Sequence, residues 1–86
     1  MSPRQALNLG ITFIATDRGI EVTGVLPMSP AQEIGLELGD VITTVHGYPA
    51  WSAEIWERLM SNQGFVRLGI LDARTGKVKT IYVTLV

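Results

Sequence analysis

The chain has 86 residues, of which 47% are apolar and 17% charged, with a formal net charge of -1. That length supports one core and not two, burying about two thirds of the unfolded surface. No apolar run approaches the roughly 18 residues a membrane span needs, which excludes an α-helical membrane segment. The seven basic residues are scattered and make no electropositive stripe, which excludes nucleic acid as an expected partner.

Cysteine is absent, so disulfides and thiolate metal sites are excluded, although this leaves the compartment open. The start MSPRQ lacks the charged-then-apolar pattern of a signal peptide, and the expectation is a single domain, residues 1–86, excised from a longer protein.

Residues 4–8 read as a polar lead without period. Leu9, Ile11 and Phe13 then alternate with Gly10, Thr12 and Ile14, predicting a first strand over residues 9–15. Thr16, Asp17, Arg18 and Gly19 are turn formers that close a hairpin onto a second strand. There Ile20 and Val22 share a face that Val25 does not, and Gly24 offers a place for a bulge to restore register.

Pro27 ends that strand. Ser29 as cap, Pro30 at the first helical position and Gln32 at the third form a capping-box signature for a short helix. Gly35 stops it where positive φ is wanted, Leu36 and Leu38 are expected in the core, and Gly39-Asp40 turns into a third strand over residues 41–45. His46-Gly47 closes that strand, and residues 48–51 read as a connection.

Ser52 caps the main helix, residues 53–62, whose apolar stripe is Ile55, Trp56, Leu59 and Met60, opposite Glu54, Glu57, Arg58 and Ser61. Gln63-Gly64 stops it. A final hairpin alternates over residues 65–71 and 78–86, with Ile81, Val83 and Leu85 on one face. The order β, β, short α, β, long α, β, β predicts a small, mainly antiparallel α+β sandwich or open barrel.

Ser29-Pro30-Ala31, Gly35-Leu36, Gly39-Asp40-Val41-Ile42 and Val45-His46-Gly47 together resemble the spine of PDZ domains, most of all those of bacterial HtrA-type serine proteases. His46 stands where the family usually has asparagine, and histidine tolerates the positive φ of such a turn. The resemblance implies a non-catalytic module that binds a peptide or protein C-terminus by strand addition. It implies that Asn8, Leu9, Gly10 and Ile11 form the loop whose amides hold a terminal carboxylate, with Asn8 departing from the glycine of animal members. Ile11, Thr12, Phe13 and Ile14 would offer an open strand edge, and Ser52, Trp56 and Leu59 the facing helix wall. Ala53 shares the helix start, Ile55 and Met60 exchange roles with Trp56 and Leu59 if the helix turns by one position, and Arg4 would sit near the carboxylate.

Independently of the resemblance, an apolar loop with one glycine feeding an alternating strand presents convergent N–H groups suited to an anion. Trp56 has two readings, groove wall or core. Leu59 reads as core with an edge in the groove, and Trp51 as packing on Tyr48 and Pro49 or extending the groove. His46, Asp40 and Ser52 do not make a hydrolase: the first two bound one short strand, and turn roles explain both. One histidine with scattered carboxylates lacks metal-ligand spacing, and residues 35–39 lack the lysine of a phosphate loop, so no cofactor is expected. The resemblance further implies a protease domain in the same parent chain as a partner and a cell-envelope or periplasmic setting. The competing expectation is an assembly or regulatory domain whose groove is filled by its own chain or a neighbouring subunit.

Overall fold

The structure is a computed structural model that describes residues 4–6, 8–60 and 64–85; the side chains of Ala53, Leu59 and Met60 lie outside that description. Its elements are β1 (Arg4–Ala6), β2 (Ile11–Thr16), β3 (Gly19–Val25), α1 (Pro30–Glu33), β4 (Val41–Val45), β5 (Tyr48–Pro49), α2 (Ala53–Met60), β6 (Phe65–Leu71) and β7 (Val78–Thr84). All strand pairings are antiparallel, in the order β1-β2-β3-β4-β6-β7, with β5 added to β4. The result is a small α+β fold whose curled sheet stays open.

Two bulges bend the sheet around its core. On β3 the register passes from Gly24 opposite Thr12 to Val22 opposite Phe13, leaving Thr23 as the extra residue beside the glycine that the sequence pattern marks. On β4 the register with β6 skips Thr43 in the same way. Gly69 accommodates the second bulge, since a Cβ there would collide with the Thr44 hydroxyl. The face so enclosed holds Leu9, Phe13, Ile42, Trp56, Leu68 and Ile70, all fully buried. Val83 and Leu85 join them and Ile81 packs at the margin, as the alternation in the last strand requires.

The local signals act where the sequence puts them. Ser29 caps α1, its Oγ accepting from Gln32 N at 3.2 Å, while Gln32 Oε1 reaches back to Met28 N at 2.7 Å. His46 and Gly47 both have positive φ, 53° and 82°, which makes a two-residue turn of the mirror-image kind that closes tight hairpins. That turn pairs Val45 with Tyr48, so the expected connection at residues 48–51 begins with a two-residue strand.

Leu38 corrects another expectation. It is 65% exposed while Leu36 is buried. Asp40 N donates to Glu37 O at 3.1 Å, so the chain turns at Glu37 and Leu38 and cannot keep the inward alternation of an extended segment.

Candidate functional site: the glycine loop and second strand beside the second helix

The loop ahead of β2 is fixed from behind by its carbonyls. Ala31 N, an otherwise unused amide in the first turn of α1, donates to Leu9 O at 2.9 Å, and Leu26 N donates to Gly10 O at 2.8 Å. Gly10 has φ 89°, and a Cβ on it would collide with the side chain of Ser29, so the loop can lie against the capped helix only as glycine. Leu9 is fully buried and anchors the loop to the core. With the carbonyls committed behind it, the loop directs the Leu9 and Gly10 amides to one acceptor: Ala6 O, at 3.2 and 2.7 Å.

That acceptor revises the expected open edge. Residues 4–6, read as a patternless lead, form β1 and pair antiparallel with β2, with Arg4 opposite Phe13, Gln5 opposite Thr12 and Ala6 opposite Ile11. The edge of β2 is therefore occupied along Ile11, Thr12 and Phe13, while among the described residues Ile14 pairs with Glu21 of β3. The physical reason is proximity: four residues separate Ala6 from Ile11, a length that closes a hairpin and brings the polar segment onto the nearest unpaired strand. Ala6 is buried and joins the core cluster.

The helix wall follows from the cap at Ser52. Its Oγ accepts from Ile55 N at 3.2 Å and its carbonyl from Trp56 N at 2.9 Å, so this half-buried side chain serves the helix start. Trp56 is fully buried, packed edge-on against Phe13 with ring centroids 5.7 Å apart at 62°. With β1 in place the ring is part of the core and joins α2 to β2. Ile55 is half-buried. The Leu59 side chain lies outside the described residues. Asn8 and Ile14 are half-buried; Thr12 turns from the core face and shares a hydrogen bond with Thr23 Oγ1 at 2.9 Å.

Arg4 also differs from expectation. Its guanidinium reaches Glu57 of α2 at 3.2 Å instead of the loop amides. Trp51 is 56% exposed, with no ring contact to Tyr48 among the described residues.

Asp40 and His46 belong to the framework. The Asp40 carboxylate, buried to 1% exposure, accepts from Glu37 N at 3.0 Å and from Ala73 N at 2.9 Å, tying the turn before β4 to the β6–β7 loop. An open hollow of about 450 Å³ on the solvent face of β6 and β7, walled by Arg67, Thr80 and Tyr82 above Gly69, contains none of the residues expected to bind peptide.

A bulged hairpin, a capped short helix, a glycine-bracketed turn and a second helix flanking the hairpin's outer strand define the class: the chain has the PDZ fold. It superposes on the PDZ domain of HtrA3 bound to a phage-derived ligand (FGRWV) with a TM-score of 0.68 and 23% identity, covering 90% of this chain and 80% of that one. It superposes on the PDZ domain of a carboxy-terminal protease from Vibrio cholerae in complex with peptide with a TM-score of 0.70 and 20% identity, covering 91% of each.

In sequence the chain is similar to the cell division topological determinant MinJ of Bacillus subtilis, 35% identical over 60 residues, 69% of this chain and 15% of that protein. It is also similar to the magnetosome formation protease MamE of Magnetospirillum gryphiswaldense, 42% identical over 59 residues, 65% of this chain and 8% of that protein. The chain thus spans less than a sixth of either relative. No protein-family model matches it. Among the described residues no helix is long and apolar enough to cross a membrane.

Proposed function

We propose that this domain is a non-catalytic peptide-binding module that takes an extended apolar segment or a protein C-terminus as an added strand along β2, facing α2, in the place that β1 holds in this structure. Leu9 and Gly10 would hold the terminal carboxylate, Ile11, Thr12, Phe13 and Ile14 would pair with the guest backbone, and Ser52, Trp56 and Leu59 would form the opposing wall. The observation that carries this reading is the convergence of the Leu9 and Gly10 amides on one carbonyl oxygen at the end of an antiparallel strand. Two amides from consecutive residues, held by their rigidly bonded carbonyls, suit a carboxylate as well as they suit Ala6. The peptide-bound state of the PDZ domains in two similar structures supports the same reading.

A guest of a few residues held this way binds with roughly micromolar affinity. Titration with a panel of peptides bearing apolar C-termini is expected to move the backbone amide signals of Gly10, Ile11, Thr12 and Phe13. Signals that stay put across the panel refute strand addition.

A second reading is favoured by β1 itself: an assembly or regulatory domain of a longer protein, such as a protease or envelope protein, with its groove filled from its own chain. A protease domain in the same parent chain is then the expected partner and the cell envelope the expected setting, in keeping with the HtrA-type likeness. Sedimentation separates a groove filled from within, which leaves a monomer, from one filled by a neighbouring subunit.

A further inference from the structure

We infer that β1 is a displaceable internal ligand, and that the groove selects peptides whose last residue is small and apolar and whose third residue from the end is basic. The inference rests on the strand-addition reading above and adds to it the identity of the competitor and of the guest.

The geometry of β1 is that of a guest. Arg4–Ala6 runs antiparallel to β2 and ends at the loop, where the Ala6 carbonyl takes both amides that a terminal carboxylate would take. A carboxylate at that place would offer two oxygens and a full charge where Ala6 offers one neutral oxygen, so each amide would gain a stronger acceptor. Ala6 is the residue at the loop end, and its methyl group is buried in the core cluster beside a fully buried Leu9 and Ile11. The space it occupies therefore fits a small side chain.

Two residues earlier, strand alternation returns the side chain to the same face, and there Arg4 meets Glu57 of α2 at 3.2 Å. Gln5 between them is exposed and carries no requirement. The order basic, any, small is thus written in the chain's own segment.

Both partners of the ion pair remain more than half exposed, 54% and 58% for Arg4 and Glu57, so the charge preference is modest, about twofold to fivefold in Kd. Among the described residues, three residue pairs and one exposed ion pair hold this internal strand, which yields to a guest that brings a carboxylate.

The test uses the full chain and three acetylated pentapeptides with free carboxylates, ending in Arg-Gln-Ala, Glu-Gln-Ala and Arg-Gln-Trp, followed by amide-resolved NMR. The peptide ending in Arg-Gln-Ala is expected to shift Gly10 to Phe13 while the Gln5 and Ala6 amides move to unstructured positions. The Glu-Gln-Ala peptide is expected to bind about twofold to fivefold weaker, and the Arg-Gln-Trp peptide weaker still. Glu57→Arg should reverse the order of the first two. Arg4→Glu should tighten the first, because it loosens β1 without altering the wall.

Equal binding of the arginine and glutamate peptides, unmoved by Glu57→Arg, overturns the charge selection while leaving strand addition standing. Binding of the tryptophan peptide as tight as the alanine peptide overturns the size selection. Shifts at Gly10 to Phe13 with Gln5 and Ala6 undisturbed show that β1 is not the competitor. Silence at Gly10 to Phe13 with all three peptides refutes strand addition and this inference with it.

Discussion

Replacing Gly10 with alanine tests how the loop amides are placed. Two effects combine at this position. The residue has φ 89°, a conformation that costs an L-residue about 1–2 kcal/mol. The added methyl would also collide with the Ser29 side chain, whose hydroxyl caps α1 and donates to Leu26 O at 2.7 Å. Displacing that serine removes a cap worth about 1 kcal/mol. The sum is roughly 2–3 kcal/mol, which for a domain of this size lowers the melting temperature by about 10–20 °C.

Gly35→Ala is the internal control. Its φ is 79° but a Cβ there would meet nothing within 4 Å, so only the conformational cost of about 1–2 kcal/mol remains, without the loss of the cap, and the melting temperature falls by correspondingly less than in Gly10→Ala. Thermal unfolding followed by circular dichroism, with a urea series for each variant, separates the two. Equal losses in Gly10→Ala and Gly35→Ala would refute the close approach of the loop to the cap, and with it the account of why the Leu9 and Gly10 amides converge.

Trp56→Ala should cost about 3–5 kcal/mol, because a fully buried ring that bridges α2 to Phe13 leaves a large cavity; against a domain stability of about 5–15 kcal/mol this loss is visible as a much lower urea midpoint. Asp40→Ala strands the Glu37 and Ala73 amides and should cost about 1–3 kcal/mol, with Asp40→Asn recovering part of it through its remaining carbonyl oxygen, again read from urea midpoints. Asp72 receives the Lys79 ammonium at 3.0 Å and the Arg74 and Thr75 amides, and these hold its carboxyl down from 3.8 to about 2. Because the folded value is the lower one, the stabilisation from ionised Asp72 is complete above about pH 4–5 and is lost as pH falls towards 2. Carboxyl titration by NMR should show this, with Lys79→Ala returning the value upward.

Several parts of the fold were readable because each rests on short-range chemistry. The Ser29-Pro30 cap, the positive φ at Gly35, Gly39 and His46, and the bulge beside Gly24 are set by residues within a few positions of one another. The hairpin over β6 and β7 was readable from alternation alone. The first strand was not. Arg4, Gln5 and Ala6 have no apolar alternation, and their strand character comes from the unpaired edge they lie against, a property of the fold and not of the segment. The brief interval between Ala6 and Ile11 was the available signal. Leu38 misled for the opposite reason, since it has the composition of a core residue inside a turn that points it outward.

The site was partly readable. Phe13 of β2 meets Trp56 of α2, which places the helix beside the strand, but the pairing of β1 with β2 joins segments that no local pattern links. The ion pair of Glu57 with Arg4 became visible only once β1 was placed beside α2.

The most direct measurement of the central claim is a crystal structure of the full chain with a peptide ending in a free Arg-Gln-Ala carboxylate. The account predicts the peptide antiparallel to β2, its carboxylate on the Leu9 and Gly10 amides, its arginine at Glu57, and residues 4–6 lifted from the sheet. A peptide bound elsewhere, with Ala6 still opposite Ile11, would contradict it.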